Sequence, residues 1–358
     1  MPRRYHELLQ LNIENIPAYL KVVKYPLPFV VSKIRRIEEV GEYSNNNYLF
    51  RLTIGNKKDE RIYYLKQAQT YNRRSVIQGK PSVVSPGRMG GEVKLLGRLE
   101  RLWGKGVVPH VYFYDRRHHT FLMSDVGRGG KILIEEFASN QVHPELGSAL
   151  GRYLGKLHTT TYKTRETSGA SQEWCETMVD FFDTHCGHGV RQHFLHHEVG
   201  SFYEEVCTSP TSIVWGDAVH RNVFVKPQGQ MGLIDFDHTV RYDPMVDVGM
   251  LLAHWTWMCL KGKPQVAHKC ELFIRSFISA YWKMWAKQPK LTNREHIAMV
   301  HRLPRWIGLY LVSRVDGKTG SYFEEWPAWE RRIRRLGIEL FGEQETLLTK
   351  RYLKLLKI

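Results

Sequence analysis

The sequence predicts an α+β fold in two lobes, a small antiparallel-sheet lobe followed by a mainly helical one. Two observations predict this. Between about residues 33 and 67, short apolar runs are separated by polar or glycine-containing turns, as in a strand meander. After about residue 128 the apolar spacing becomes helical, interrupted by one hairpin with a polar centre.

Residues 6–24 open with helix-like spacing (Leu8, Leu9, Leu11, Ile13, Ile16, Leu20, Val23), broken by Pro17, Pro26 and Pro28. KIRRIEEV, NYLFRLTI and RIYYLKQA then read as three strands. An amphipathic helix, EVKLLGRLERLWG, starts at Glu92 in this reading, and HVYFYD and TFLMSDV add two strand candidates. Together these set an amino-terminal lobe at residues 1–127. In the second lobe, residues 128–358, ELGSALGRYLGKLH places Leu146, Leu150, Leu154 and Leu157 on one helical stripe. VWGDAVHRNVFV and MGLIDFDHTV interrupt the helices as short strands joined through PQGQ, and helical text resumes at Val246.

Composition narrows the function. The 358 residues carry 52 Lys and Arg against 36 Asp and Glu, a net charge of +16 that favours anionic ligands. The basic residues are scattered and form no recognisable nucleic-acid-binding motif, so a bound phosphate compound is the expectation rather than DNA or RNA. The first twenty residues never build the apolar centre of a signal peptide, and no export is expected. The longest apolar run, Val248 to Leu260, contains His254 and falls short of the roughly 20 residues a membrane span needs. Five cysteines without a CxxC pair fit a reducing cytoplasm.

The hairpin carries the chemistry. Asp217 follows a strand, Asn222 comes five positions later, and Asp235 ends the next strand. Two carboxylates and a carboxamide are hard oxygen ligands suited to Mg²⁺ with substrate phosphates. The spacing is that of the protein-kinase signature, an Asp, an Asn five positions on and a separate metal-binding Asp, here within Asp235-Phe236-Asp237. Upstream, Lys66 closes the third strand, within reach of the α- and β-phosphates of ATP if Glu92 holds it. The turn containing Ser44 and Asn45 is small and polar and offers backbone N–H groups to phosphate. Adenine is expected at the linker Met123 to Val126, with Ser124 and Val126 as contacts. Each residue alone has a blander reading, a solvated Lys, a helix-start Glu or a turn-forming Asp; the ordered set points to phosphoryl transfer with Asp217 as base.

At these residues the sequence resembles the aminoglycoside phosphotransferase and choline kinase superfamily, a branch of the protein-kinase-like fold. Its loop, HGDxxxxN followed by IDxxxxxxxDPxxD, is matched by Gly216-Asp217 through Asn222, then Ile234-Asp235 through Asp243-Pro244 to Asp247. Trp215 stands where the family usually has His. Within the superfamily the methylthioribose kinases give the nearest likeness, at NNNYLFR, YLKQA, VPHVYFYD and RWIGLYLVSRVDG. The resemblance implies ATP, Mg²⁺ held by Asn222 and Asp235, transfer of the γ-phosphate to a sugar-like hydroxyl, and a homodimer. Asp247 is expected to brace the catalytic loop. The departures fall at substrate-side positions: Pro304-Arg305 replaces a pair of arginines, Asp237 a Glu, and Asn222 a Ser. Arg305 and Asp237 are therefore the substrate-side candidates.

Two other functions compete. An aminoglycoside-type antibiotic kinase would bind polycations, which a +16 protein repels at long range unless its cleft is acidic. A non-catalytic nucleotide binder is the other, opposed by competent residues at every motif position. Outside the motif, His185, Cys186, His188, His193, His196 and His197 invite a metal reading, but the spacing favours a polar loop and helix start. The tail WERRIRRLGIELF reads as a packed helix with a charged outer face in preference to a membrane-surface helix.

Overall fold

The computed structural model describes residues 9–40, 47–71, 73, 76, 79, 83–139, 141, 143–165, 172–227, 229–261, 264–316 and 327–342. The chain divides into two units, one of Met1–Arg128, Gly169–Trp174 and Gly232–Asp237, the other of Gly129–Ser168, Cys175–Met231 and His238–Ile358.

The first unit is built on five antiparallel strands: β1 (Ile34–Glu39), β2 (Tyr48–Ile54), β3 (Arg61–Gln67), β4 (Val111–Asp115) and β5 (Thr120–Ser124). Their order is β1-β2-β3-β5-β4. Phe50, Leu52 and Ile54 of β2 are buried two residues apart and so share a face. Phe50 registers with Leu65 of β3, and Leu65 with Leu122 of β5. Helix α1 (Ile16–Val22) joins this core through Ile16, Tyr19 and Leu20. It is shorter than the predicted span of residues 6–24. Asn12 Oδ1 accepts the N–H groups of Glu14 and Asn15, a local turn that competes with helix.

Alternation puts Lys66, the neighbour of Leu65, on the opposite sheet face. There it meets α2 (Arg88–Trp103). This helix begins four residues before the predicted start, so Glu92 does not head it but lies buried in its second turn. Gly90 and Gly91, ahead of that predicted start, are helical. The position of Glu92 thus owes nothing to the favourable field of a helix start and much to its lysine partner.

The helices of the second unit are α3 (Leu133–Ala138), α4 (Pro144–Thr161), α6 (His196–Thr208), α7 (Met245–Lys261), α8 (Pro264–Trp285), α9 (Asn293–Asp316) and α10 (Pro327–Gly342); of α5 (Gln172–Asp180), the residues from Cys175 on belong to it. Gly147, Gly151 and Gly155 form a ridge on α4 against α8. A Cβ at Gly147 would come within 2.3 Å of Phe273 O, and one at Gly151 within 2.3 Å of Phe277 O. The apolar run from Val248 to Leu260 is α7, and among the described residues no helix is long and apolar enough to cross a membrane. The basic tail forms α10, which buries Ile333, Leu340 and Phe341 and meets α9 where Gly337 faces Gly308.

The hairpin region is more broken than its sequence suggested. Strand β7 (Ser212–Val214) pairs antiparallel with β10 (Val240–Tyr242), and β6 (Lys131–Ile132) with β8 (Val223–Val225). MGLIDFDHTV is not one strand: β9 (Met231–Leu233) stops before Asp235, whose φ of +61° is left-handed and cannot continue a strand. Of the histidine-rich stretch, Phe181–Cys186 is a π-helical turn, and the His193 ring lies 2.7 Å from Asp316, which also binds Arg334. The side chains of His185 and Cys186 lie outside the described residues.

Candidate active site

In the sheet unit, β3 carries Lys66 to a group of carboxylates. The buried ammonium stands 2.8 Å from Glu92 Oε1, 3.2 Å from Asp235 Oδ1 and 4.0 Å from Asp237 Oδ2. Burial alone disfavours a charged lysine, but the carboxylates of Glu92, Asp235 and Asp237 outweigh it and hold the ammonium above the usual lysine range. Lys66 is therefore a fixed, fully charged donor. Asp235 is the more open of its partners, with 37% of its side chain accessible.

Asp237 is placed deeper. It is buried, and its Oδ2 accepts from Asn47 Nδ2 at 2.9 Å. Asn47 Oδ1 in turn accepts from Arg88 Nη2 at 2.7 Å, and Arg88 Nη1 donates to Ser85 O at 2.8 Å. Asn47 and Arg88 had no separate signal in the sequence, because the contact joins residues 190 positions apart. Ser124 lies at the end of β5, where its Oγ accepts from His110 N at 2.9 Å. Val126 is buried and its carbonyl passes close to Gly232, where a Cβ would come within 2.6 Å. Ser44 and Asn45 lie outside the described residues.

In the helical unit, Asp217 and Asn222 are brought together. Asn222 Nδ2 donates to Asp217 Oδ2 at 2.8 Å and to Asp217 O at 2.9 Å. A short 3₁₀ turn, His220–Asn222, makes the five-residue spacing close on itself. The loop is held from behind by Asp247, whose two carboxylate oxygens accept the N–H groups of Trp215 at 2.6 Å and Gly216 at 2.8 Å. His158 Nε2 completes the shell at 3.0 Å, and its Nδ1 pairs with the Tyr281 hydroxyl at 2.9 Å. Gly216 is required here: its φ is +83°, and a Cβ would come within 2.2 Å of His238 O.

Asp243, four residues before Asp247, accepts from Arg302 Nε at 2.9 Å and from Trp306 Nε1 at 2.8 Å, tying α9 to the start of α7. Arg305 is turned elsewhere. Its guanidinium stacks on Phe202 at 4.5 Å and Phe341 at 5.1 Å, and pairs with Glu205 at 3.6 Å.

Comparison with known proteins agrees with this chemistry. Residues 41–259 match the family described as the phosphotransferase enzyme family. No curated protein matches the chain. Among solved structures it is similar to amicoumacin kinase hAmiN in complex with AMP-PNP, Ca²⁺ and Ami, at 17% identity and a TM-score of 0.56, over 93% of this chain and 94% of that one. The choline kinase LicA from Streptococcus pneumoniae is similar at 16% identity and a TM-score of 0.47, over 87% and 94%. A Plasmodium vivax ethanolamine kinase is similar at 12% identity and a TM-score of 0.47, over 97% and 88%. The fold is protein-kinase-like, an antiparallel sheet unit and a helical unit.

Proposed function

The chain belongs to the phosphotransferase enzyme family and is a kinase, and from that premise we propose that it transfers the γ-phosphate of ATP to a hydroxyl of a small sugar-like alcohol such as methylthioribose. The observation that carries this reading is the buried Lys66 ammonium, 2.8 Å from Glu92 and 3.2 Å from Asp235. An ion pair so costly to bury suits a site that must hold phosphates in a fixed place.

In this reading residues 1–127 bind the nucleotide, with Lys66 positioned by Glu92 on the phosphates, Ser44 and Asn45 beside them, and Ser124 and Val126 at adenine. Residues 128–358 carry the catalytic loop and the acceptor. Asp217 orients the acceptor hydroxyl and takes its proton. The acceptor oxygen bonds to the γ-phosphorus as the bond from that phosphorus to the β–γ bridging oxygen breaks, and ADP leaves with that oxygen. Asn222 and Asp235 are the residues assigned to Mg²⁺. They fit a hard cation: Asn222 spends its N–H on Asp217 and leaves its carbonyl oxygen, and Asp235 offers a partly accessible carboxylate. When bound, the cation neutralises charge on the phosphates. Asp237 and Arg305 are the residues assigned to the substrate side; Asp237 is held by Asn47, and Arg305 packs on Phe202 and Phe341 and pairs with Glu205.

Asp217→Asn, Lys66→Ala and Asp235→Ala are each expected to lower ADP production at least about 100-fold, the lower end of what a positioned acid or base contributes. Wild-type turnover in any of these folded variants removes the assigned role.

A further inference from the structure

Beside Asp217 and Asn222, the same loop carries side chains that the transfer step does not use. His220 is buried, and its Nδ1 has no hydrogen-bond partner among the described residues. The His254 ring of α7 meets it edge-on, with centroids 4.8 Å apart. Arg314 of α9 brings Nη2 to 3.4 Å from His254 Nε2. A guanidinium only donates, so that nitrogen accepts and the His254 proton sits on Nδ1. Arg221, next in the loop, has an exposed side chain, and the charges of Arg221 and Arg314 reach both imidazoles. Three elements thus converge on one cationic corner: the catalytic loop, α7 and α9.

We propose that the acceptor alcohol of this kinase carries an anionic group, a phosphate or a carboxylate, received by Arg221, Arg314 and the His220–His254 pair. This rests on the phosphotransferase reading above and replaces its neutral example, methylthioribose, with a sugar-like alcohol that bears an anionic group. Guanidinium groups match carboxylate and phosphate oxygens in geometry as well as charge. A buried imidazole nitrogen without a partner is destabilising, and an anion oxygen accepting from an imidazole N–H relieves that cost. The net charge of +16 steers anions toward the protein and opposes cationic alcohols such as choline.

The test uses the full chain and inorganic sulfate as probe, followed by the ring ¹⁵N signals of the histidines. Saturable shifts at His220 and His254 are expected, and Arg314→Gln and Arg221→Gln should each weaken the affinity about ten-fold, as for loss of one charged hydrogen bond. The absence of saturable shifts, or unchanged affinity in both variants, overturns the proposal. The exposed Arg221 keeps the test decisive if Arg314→Gln does not fold. In a parallel ATP-consumption assay, ribose 5-phosphate should be used with a higher kcat/KM than ribose, and ribose higher than choline. A preference for choline sinks the anionic acceptor while leaving the kinase intact. No acceptor-dependent ATP consumption with any of the three sinks the kinase reading, and the sulfate titration still decides the anion site.

Discussion

Asp247 shows how much one buried side chain does at the residue scale. It accepts two backbone N–H groups of the catalytic loop, from Trp215 and Gly216, and the Nε2 side of His158. A carboxylate is needed because three donors converge on it, and an amide would turn one N–H toward another. Asp247→Asn is expected to destabilise the helical unit by about 2 kcal/mol, the scale of hydrogen bonds to a charged group. It should also lower kcat more than it raises KM for ATP, since the loop rather than nucleotide binding is disturbed. Chemical unfolding and steady-state kinetics read the two effects, and an unchanged unfolding midpoint would show that the loop is held by other contacts. The DPxxD spacing foretold this role; the His158 and Tyr281 hydrogen bonds behind it join residues far apart in sequence and were invisible there.

At the scale of elements, the α4–α8 pair is set by glycine. The leucine stripe of α4 was legible because four apolar residues recur at helical spacing. The partner was not, since nothing local says that Gly147 and Gly151 let Phe273 O and Phe277 O approach so closely. Gly151→Ala places a methyl 2.3 Å from Phe277 O and should cost about 1–3 kcal/mol through overpacking. Gly97→Ala in α2 is the contrast: its nearest neighbour would be Arg101 Nη1 at 3.9 Å, so the better helix former should stabilise by up to about 1 kcal/mol. Thermal unfolding of the two variants should therefore shift in opposite directions, and a shared direction would refute the packing account.

Across the whole molecule, charge and a half-buried histidine make stability depend on pH. His254 is held well below the usual histidine value of 6.5, chiefly by burial and further by His220, Arg314 and Arg221. The folded state thus refuses a proton that the unfolded chain accepts below about pH 6.5. Its stabilising contribution is whole above that pH and falls as the solution is acidified, by up to about 1.4 kcal/mol per pH unit for one group. The stability difference between the parent and His254→Gln should accordingly narrow from pH 7.5 to 5.5 in denaturant titrations. A constant difference would show that His254 titrates normally.

Local order was determined by the sequence itself: the strand meander, the helical stripes, the loop from Asp217 to Asn222 and the Asp235 turn, because periodicity and short-range spacing fix which way neighbouring side chains face. Sequence also identified Lys66 and Glu92 as partners, although it placed Glu92 one turn too early in its helix. Only tertiary structure decided that Asp237 faces Asn47 and Arg88, that Asp243 ties α9 to α7 through Arg302 and Trp306, and that His220, His254 and Arg314 meet. The reason is physical. These contacts close loops of tens to nearly two hundred residues, and buried polar groups accept whichever partner the packing of whole helices and strands brings within hydrogen-bond distance, a choice that no window of local sequence contains.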